Sequence, residues 1–296
     1  MIVGLTGAGG MLGQEIVREA KSRRIDLVAW DRAQFDILDR DATSQVIGGA
    51  APDVVIHAAA WTDVDGCEAS PQKAYEVNGR GTENVARACE QCGAALVYLS
   101  TDYVFSGEKK TPYVEDDATD PINEYGKSKL MGEETVLRLG AKGVVARTSW
   151  VYGDHGKNFV LTMLRLGREG KPLRVVEDQI GAPTFAADLG RALLDLAGAA
   201  ARGRAQGVYH VTNAGAISWY GLARTIFQFA GIPAEVSPVT SAEFPRPARR
   251  PKNSILSDQR LASAGVPALP PWEDALARCI LRITTGADPQ SRRAIP

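Results

Sequence analysis

The sequence has almost no net charge and no long apolar run. Its 296 residues include 34 basic and 35 acidic side chains, and the resulting net charge of −1 favours neither nucleic acid nor an anionic membrane as a partner. No segment approaches the roughly 18 consecutive apolar residues of a membrane span, and the first residues enter an apolar run without a basic leader. We therefore expect a cytoplasmic protein with no membrane segment, in which any anion is recognised locally.

Cysteine and histidine are also scarce, with four and three residues respectively. Cys89 and Cys92 form a C-x-x-C, but they fall late in a helical pattern, where a spacing of three is one turn. No second pair and no cluster of histidines completes a zinc site. We interpret the cysteines as reduced helix residues.

Short β-branched runs alternate with helical patterns through the first half of the chain. The runs are "MIVGLTG", "IDLVAWD", "PDVVIHAAA", "AALVYLSTD" and "GVVARTSWV". Such alternation predicts an α/β fold with a doubly wound parallel sheet, which binds its ligand beyond the carboxyl ends of the strands. The chain is long enough for such a core and a second, smaller lobe.

The pattern becomes less regular after residue 153. We expect residues 1–153 to hold the sheet, with some later segments returning to it, and residues 154–285 to form mainly the smaller lobe. The polar segment 286–296 is predicted to be a flexible tail.

A glycine-rich turn, "GAGGMLG", follows the first predicted strand and opens the first helix. It fits G-x-x-G-x-x-G through Gly7, Gly10 and Gly13, with Met11 and Leu12 between the last two glycines. Glycine permits a tight turn and a close approach of the backbone to a pyrophosphate at the helix N-terminus. The turn therefore predicts a dinucleotide cofactor.

The end of the second strand carries two conflicting signals about that cofactor. Asp31 suits the free ribose hydroxyls of NADH, whereas the adjacent Arg32 suits the 2′-phosphate of NADPH. Either cofactor is therefore expected. Further candidates for cofactor contact, from the next loop and the end of the third strand, are Asp36, Ile37, Ala58, Ala59 and Ala60.

A phenol and an ammonium are predicted to share one helical face. Tyr125 and Lys129 stand at i and i+4, and Thr101 ends the preceding strand at the ligand edge of the sheet. Such a pair alone is usually structural, but here the three groups suffice for a carbonyl reduction. The lysine would lower the pKa of the phenol, the tyrosine would donate a proton, and the threonine would orient the carbonyl oxygen. Lys129 would also hold the ribose of the nicotinamide nucleotide.

Four segments together resemble the extended short-chain dehydrogenase/reductase superfamily and, within it, the dTDP-4-dehydrorhamnose reductase family. They are the glycine turn, "STDYVF", "YVEDDATDPINEYGKSKLMGEE" and "RTSWVYG", and the resemblance spans nearly the whole chain. It implies a Rossmann-type NAD(P)-binding domain with a smaller C-terminal α/β substrate lobe. It also implies reduction of the 4-keto group of dTDP-6-deoxy-L-lyxo-4-hexulose to dTDP-L-rhamnose, with NADPH or NADH. The family's catalytic trio falls on Thr101, Tyr125 and Lys129.

The resemblance also suggests residues that contact the sugar nucleotide. Trp150 would pack on the deoxyhexose, and an arginine of the loop "RPARRP" would bind the diphosphate, with Arg250 favoured over Arg246. Asn158, which by itself reads as a helix N-cap, would lie near the diphosphate. The further candidates are Asp102 and Gln179.

Three other functions share features with this sequence. One is a nucleotide-sugar epimerase or dehydratase of the same superfamily. A dehydratase needs an additional acid and base beside the threonine, typically an Asp-Glu pair, where this chain has Asp102 and Tyr103, so that alternative fails. A reductase of another 4-keto-6-deoxy sugar nucleotide and a non-catalytic regulatory subunit of methionine adenosyltransferase both stay open.

The resemblance also suggests a homodimer. Some relatives hold a divalent ion with glutamates, and Glu15 lies where one such ligand would be. A single glutamate predicts no metal site.

Overall fold

The computed structural model describes residues 1–286, which are organised around a parallel sheet. The strands, in chain order, are β1 (Ile2–Thr6), β2 (Asp26–Trp30), β3 (Val54–His57), β4 (Ala95–Thr101), β5 (Gly143–Thr148), β6 (Val151–Tyr152), β7 (Leu173–Val176), β8 (Ile180–Gly181), β9 (Thr184–Phe185), β10 (Gly207–His210), β11 (Ile217–Ser218) and β12 (Val236–Val239). The α-helices are α1 (Met11–Ser22), α2 (Arg40–Ala50), α3 (Val64–Ala69), α4 (Pro71–Ala74), α5 (Gly81–Cys92), α6 (Glu124–Leu137), α7 (Phe159–Arg168), α8 (Ala186–Ala201), α9 (Trp219–Ala230) and α10 (Trp272–Thr285).

Six strands form the main sheet, in the order β2-β1-β3-β4-β5-β10, with every neighbouring pair parallel. The strand order reverses at β1, between β2 and β3. Ligands of open parallel sheets bind at such a reversal, beyond the carboxyl ends of the strands. The sheet therefore places the glycine turn after β1 at the expected ligand edge.

Helices cover both faces of this sheet, which confirms the predicted doubly wound α/β fold. Helices α1 and α8 pack against one face, where Leu5 and Val97 of the strands meet Ile16 and Leu193. Helices α2, α5 and α6 lie on the other face. Each fully buried aliphatic side chain of this kind contributes about 1.5–3 kcal/mol to folding. Burial on both faces explains why the strands read as continuous apolar runs.

The predicted helix from Pro71 is interrupted. The chain follows α4, turns through a π-helix at Tyr75–Arg80 and continues as α5. A π-helical turn is rare and is often found beside functional sites. Here it packs against α6, the helix that carries Tyr125 and Lys129.

A second hydrophobic core holds the smaller lobe together. It is built by side chains of α7, α9 and α10, among them Leu164, Phe227 and Leu276. Helix α10 was not recognised in the sequence. Segments between residues 186 and 210 return to the main sheet as α8 and β10, and the domain division at residue 153 stays a prediction.

Three further expectations concern the C-terminal tail, a membrane-spanning segment and the cysteines. The predicted tail 286–296 lies outside the described residues apart from Gly286, which follows α10. None of the helices in residues 1–286 combines the length and the hydropathy that a membrane crossing requires. The four cysteines are free thiols.

Candidate active site

The glycine turn is constrained by its own backbone. Gly7 has a φ of +76°, and a Cβ atom there would lie 2.7 Å from the nitrogen of Ala59. A Cβ on Gly13 would lie 2.2 Å from the carbonyl oxygen of Gly7. Gly10 closes the turn, because its N–H donates to that same oxygen at 3.0 Å. These positions need glycine so that the N-terminus of α1 can approach β3 closely.

A cavity of about 590 Å³ opens at the carboxyl ends of β1, β2 and β3. Its size lies within the range of small-molecule sites, and the N-terminus of α1 at its floor suits a pyrophosphate. The cavity thus fits a dinucleotide. The predicted cofactor residues in its wall are Gly7, Gly10, Asp31, Arg32, Asp36, Ile37, Ala58, Ala59 and Ala60.

Three predicted cofactor residues lie behind this wall. Leu12 is buried in the hydrophobic core, and Gly13 supports the turn from inside. Met11 approaches Gly153, where a glycine Cβ would lie 3.1 Å from the methionine sulfur. Any contact of these three residues with a cofactor stays a prediction.

Sequence reasoning missed two neighbouring residues in the cavity wall. Trp61 and Lys73 both line it, and the Lys73 ammonium lies 4.4 Å from the Trp61 ring centroid. Neither residue belongs to a motif. Their proximity depends on how α4 packs against the segment that follows β3.

Asp31 and Arg32, at the rim of the cavity, suit different cofactors: Asp31 suits the ribose hydroxyls of NADH and Arg32 the 2′-phosphate of NADPH. Asp31 accepts a hydrogen bond from the N–H of Ala33 at 2.8 Å. The exposed Arg32 pairs with Asp36 at 2.9 Å, a contact that a 2′-phosphate would compete for. Both the NADH and the NADPH signals are therefore present in the folded chain.

The predicted trio comes together at the carboxyl edge of the sheet. Thr101 is the last residue of β4, and its hydroxyl lies close enough to the phenol of Tyr125 on α6 to act on the pKa of that phenol. Thr101 also donates to Asp102 at 3.0 Å and accepts from the N–H of Tyr103 at 3.2 Å. Lys129, one turn further along α6, donates from Nζ to the carbonyl oxygen of Leu99 at 2.7 Å.

The electrostatics of the trio differ from the sequence expectation in one respect. We expected Lys129 to lower the pKa of Tyr125, but burial raises the pKa of this phenol well above its usual value. The neighbouring Thr101 hydroxyl opposes that rise. The phenol is therefore protonated near neutral pH, which is the form that donates a proton. Burial also lowers the pKa of Lys129 to about 7.

Asp102 is a buried carboxyl group beside the trio. Burial raises its pKa to about 7, and hydrogen bonds with Ser254 and Thr101 act in the opposite direction. Its negative charge also acts to raise the pKa of Tyr125. A group that changes charge near neutral pH thus lies in contact with the reaction centre.

The predicted diphosphate arginine lies in a second cavity, of about 270 Å³, together with Gln179. Arg250 and Arg246 both line it, and both pair with the carboxylate of Asp65 on α3, at 2.6 and 2.5 Å. The side chain of Arg250 is 15% exposed and that of Arg246 is 52% exposed. The guanidinium of Arg250 also lies near the phenol of Tyr103, next to the trio, and acts to lower the pKa of that phenol.

Asn123 connects this basic loop to the catalytic helix. Its side chain caps α6 by accepting from the N–H of Gly126, and it donates to the carbonyl oxygen of Arg249, each at 2.8 Å. An asparagine directly before a helix is a recognisable signal in sequence. The contact between Asp65 and Arg246 is not, because 181 residues separate the two in the chain.

Asn78, in the π-helical turn, makes the corresponding connection to the cofactor cavity. Its side-chain oxygen accepts from the N–H of Trp61 at 2.8 Å, and its amide donates to Ser128 of α6 at 3.0 Å. Ser128 directly precedes Lys129. The catalytic helix is therefore bonded to the walls of both cavities.

Two predicted substrate residues have clear local roles. Trp150 has an unusual φ of +47°, and its ring stacks on Trp219 at a centroid distance of 3.5 Å. Asn158 is the N-cap of α7, since it accepts from the N–H of Leu161 at 3.1 Å and donates to the carbonyl oxygen of Gly153 at 3.0 Å. A diphosphate contact by Asn158 stays a prediction.

Glu15 lies in a cluster of opposite charges. Its carboxylate, Asp154 and His155 bring possible metal-ligand atoms within 4.8 Å of one another. Two arginines compensate the charge, with Arg18 at 2.9 Å and Arg282 at 3.2 Å from the Glu15 oxygens. Guanidinium groups thus hold the carboxylate where a cation would bind, and we assign no metal to this cluster.

A reductase that takes hydride from a nicotinamide needs a proton donor close to the cofactor. Helix α6 carries a protonated phenol and is bonded to the walls of both the glycine-turn cavity and the basic one. The doubly wound sheet and this arrangement place the chain among the NAD(P)-dependent oxidoreductases of the extended short-chain dehydrogenase/reductase superfamily.

Comparison with known proteins identifies the family. Residues 1–285 match the model of the family described as "RmlD substrate binding domain". The chain is 45% identical over 282 residues to the dTDP-4-dehydrorhamnose reductase of Mycobacterium tuberculosis, covering 93% of this chain and 91% of that one. The chain belongs to the dTDP-4-dehydrorhamnose reductase family, as its motifs predicted.

Two solved structures extend the similarity to the fold. The dTDP-4-dehydrorhamnose reductase of Clostridium acetobutylicum has a TM-score of 0.91 and 40% identity, with coverage of 96% of this chain and 100% of that one. The dTDP-4-dehydrorhamnose reductase of Bacillus anthracis, solved in complex with NADP, has a TM-score of 0.90 and 41% identity, with coverage of 95% and 99%. This likeness supports a nicotinamide cofactor for the chain.

Proposed function

We propose that this protein reduces the 4-keto group of dTDP-6-deoxy-L-lyxo-4-hexulose to give dTDP-L-rhamnose, with NADPH or NADH as reductant. The observation that carries the proposal is the placement of Tyr125 beside Thr101, on a helix bonded to both cavity walls. Family membership supplies the substrate, because the relatives compared above carry that enzyme's name.

The cofactor supplies the hydride when it is bound in the glycine-turn cavity. Tyr125 donates its phenolic proton to the carbonyl oxygen, and Thr101 hydrogen-bonds the same oxygen and holds the carbonyl in place. Lys129 carries positive charge near the phenol and holds the nicotinamide ribose. Asp102, in contact with Thr101, contributes to binding of the sugar.

The second cavity supports the assignment of the nucleotide end of the substrate. Paired arginines bind a diphosphate well because each guanidinium can donate two parallel hydrogen bonds. Arg250 is the better placed of the two, because it is less exposed and lies closer to the trio. We assign Gln179 to the same subsite, Trp150 to the deoxyhexose and Asn158 to the neighbourhood of the diphosphate.

We extend the proposal to a cytoplasmic location and a homodimer, with neither nucleic acid nor membrane as a partner. The location is supported by the cofactor, since NAD(P)H is a reductant of the cell interior. The dimer is supported by the family resemblance.

The decisive experiment supplies the purified protein with dTDP-6-deoxy-L-lyxo-4-hexulose, made in place by the upstream dehydratase and epimerase. Oxidation of NADPH and of NADH is followed by loss of near-ultraviolet absorbance, and the product is identified by chromatography. We expect turnover to dTDP-L-rhamnose, and the two rates rank the cofactors. The Tyr125→Phe variant should lose about 100-fold or more in turnover because it lacks the proton donor, while it still binds NADPH.

Two results would contradict the proposal. Cofactor binding without turnover would favour another 4-keto-6-deoxy sugar nucleotide or a regulatory subunit. Unchanged turnover in Tyr125→Phe would remove the assigned proton donor. The Lys129→Met variant should lose both turnover and cofactor affinity, since one ammonium serves both.

A further inference from the structure

The face of α6 that carries Tyr125 and Lys129 continues for one more turn. Glu133 stands four residues after Lys129, so the three side chains lie along one side of the helix. Glu133 is 1% exposed, Lys129 is 3% exposed, and both are inside the protein rather than on its rim. A carboxylate buried to this degree is costly unless it is paired.

Glu133 is held by two neighbouring strands of the sheet. Arg147 of β5 forms a two-pronged contact with it, from Nη2 to Oε2 at 2.7 Å and from Nε to Oε1 at 2.9 Å. Ser100 of β4 donates to Oε1 at 2.5 Å. Ser100 and Arg147 face each other directly in the β4–β5 register. One carboxylate therefore joins the catalytic helix to the edge of the sheet.

These contacts are adjacent to two members of the trio, Thr101 and Lys129. Ser100 directly precedes Thr101, and Lys129 donates to the carbonyl oxygen of Leu99, the residue before Ser100. If Glu133 released Ser100, the end of β4 could shift relative to α6. Such a shift would change the distance between the Thr101 hydroxyl and the Tyr125 phenol.

The charge of Glu133 acts on Lys129 as well. Other titratable groups facing Lys129 are Cys67 of α3, His57 of β3 and Tyr98 of β4, whose ring centroid lies 4.1 Å from Nζ. Burial raises the pKa of Cys67 to about 11 and that of Tyr98 well above its usual value, and it lowers that of His57 to about 3. These three groups are neutral near pH 7.

Two further acids face Tyr125 rather than Lys129. They are Asp102 and Tyr103, which follow Thr101 at the end of β4. Arg147, on β5, is compensated by its contact with Glu133. The Glu133 carboxylate is thus the negative charge that acts to raise the pKa of Lys129 against the effect of burial.

We propose that Glu133 is a positioning residue of this active site, which fixes the strand end at Thr101 relative to α6 and places a negative charge one helical turn from the Lys129 ammonium. The inference rests on the proposed reductase function for its kinetic part. It has a second part, the charge state of Lys129, that can be measured through cofactor binding alone.

Three variants separate charge from geometry. Glu133→Gln keeps the length of the side chain and an oxygen for Ser100 but removes the charge. Glu133→Asp keeps the charge but withdraws it from Ser100. Glu134→Gln removes an equal charge from the exposed face of the same helix and is the matched control.

The measurements are the pH dependence of the NADPH dissociation constant, by fluorescence, and that of kcat/KM. We expect both to deteriorate with rising pH as Lys129 loses its proton. In Glu133→Gln this should begin about one pH unit lower than in the unchanged protein, because a nearby opposite charge shifts a pKa by that much or more. In Glu133→Asp the deterioration should begin at the same pH as in the unchanged protein, but kcat should fall at least about 10-fold. Glu134→Gln should match the unchanged protein in both its pH profiles and its kcat.

A purely structural role gives a different result. If Glu133→Gln lowers the melting temperature and the rate equally at all pH values, with no displacement of either profile, the proposal is wrong. Should that variant not fold because Arg147 is left unpaired, the double variant Glu133→Gln/Arg147→Met removes both buried charges and should still show the displacement. Failure of the unchanged protein to turn over would refute the proposed function, while the NADPH binding profiles would still test Glu133.

Discussion

The indole rings of Trp150 and Trp219 stack with their centroids 3.5 Å apart and their planes 6° from parallel. Trp150 follows β5 with a left-handed backbone, and Trp219 begins α9 in the smaller lobe. A residue other than glycine in this conformation is under strain, which persists only where the surroundings enforce it. The stack is therefore part of what positions the aromatic surface assigned to the deoxyhexose.

Removing the partner ring should weaken substrate binding. An aromatic pair of this kind contributes about 0.5–1.5 kcal/mol beyond its buried area, so Trp219→Ala should raise KM for the sugar nucleotide by about 2- to 10-fold. The NADPH dissociation constant should not change. Phe229→Ala, which removes an exposed aromatic ring from the same helix, is the control. An unchanged KM in Trp219→Ala would show that the Trp150–Trp219 stack does not contribute to substrate binding.

The two arginines that share Asp65 should contribute unequally to substrate affinity. A hydrogen bond to a charged group contributes about 1.5–3 kcal/mol, so Arg250→Ala should raise KM for the sugar nucleotide by about 10- to 100-fold. Arg246→Ala should have a smaller effect, because the Arg246 side chain is mostly solvated. Steady-state kinetics of both variants decide the matter, and a larger effect at Arg246 would reverse our assignment of the diphosphate arginine.

Asp102 should make the protein less stable as the pH rises. Burial raises its folded-state pKa to about 7 from 3.8, so the folded state binds the proton more tightly than the unfolded chain. Stability is then lost as the pH rises from about 4 to 7, by about 1.4 kcal/mol for each pH unit. Asp102→Asn, which cannot ionise, should melt at a higher temperature than the unchanged protein at pH 8, and the gap should close near pH 4. A gap that does not depend on pH would contradict this.

A methyl group should have opposite effects at two glycines. At Gly13 it would lie 2.2 Å from the Gly7 carbonyl oxygen, so Gly13→Ala should cost about 1–3 kcal/mol of stability and weaken NADPH binding. Gly48, within α2, has no atom within 4 Å of its Cβ position. Gly48→Ala should therefore stabilise the protein by up to about 1 kcal/mol and leave NADPH binding unchanged. Chemical denaturation and cofactor titration of both variants test the pair.

The sequence predicted correctly those elements whose residues follow a short-range pattern. The β-branched runs of β1, β3, β4 and β5 are buried on both faces, and a strand in that setting must be apolar throughout its length. The glycine turn is similarly local, because its backbone geometry excludes side chains within a few residues of itself. Helix α10 escaped recognition, although its apolar face completes the core of the smaller lobe.

By itself, the sequence determined the doubly wound fold, the glycine turn and the placement of Tyr125 and Lys129 on one face of a helix, because each depends on spacing within a single element. Only the tertiary structure decided which distant groups meet those elements. It joined Glu133 to Arg147 and brought Asp65 to the basic loop, and it set the pKa values of Tyr125 and Lys129 through burial. The physical reason is that desolvation and ion pairing depend on the surroundings of a side chain, and packing assembles those surroundings from segments far apart in the chain.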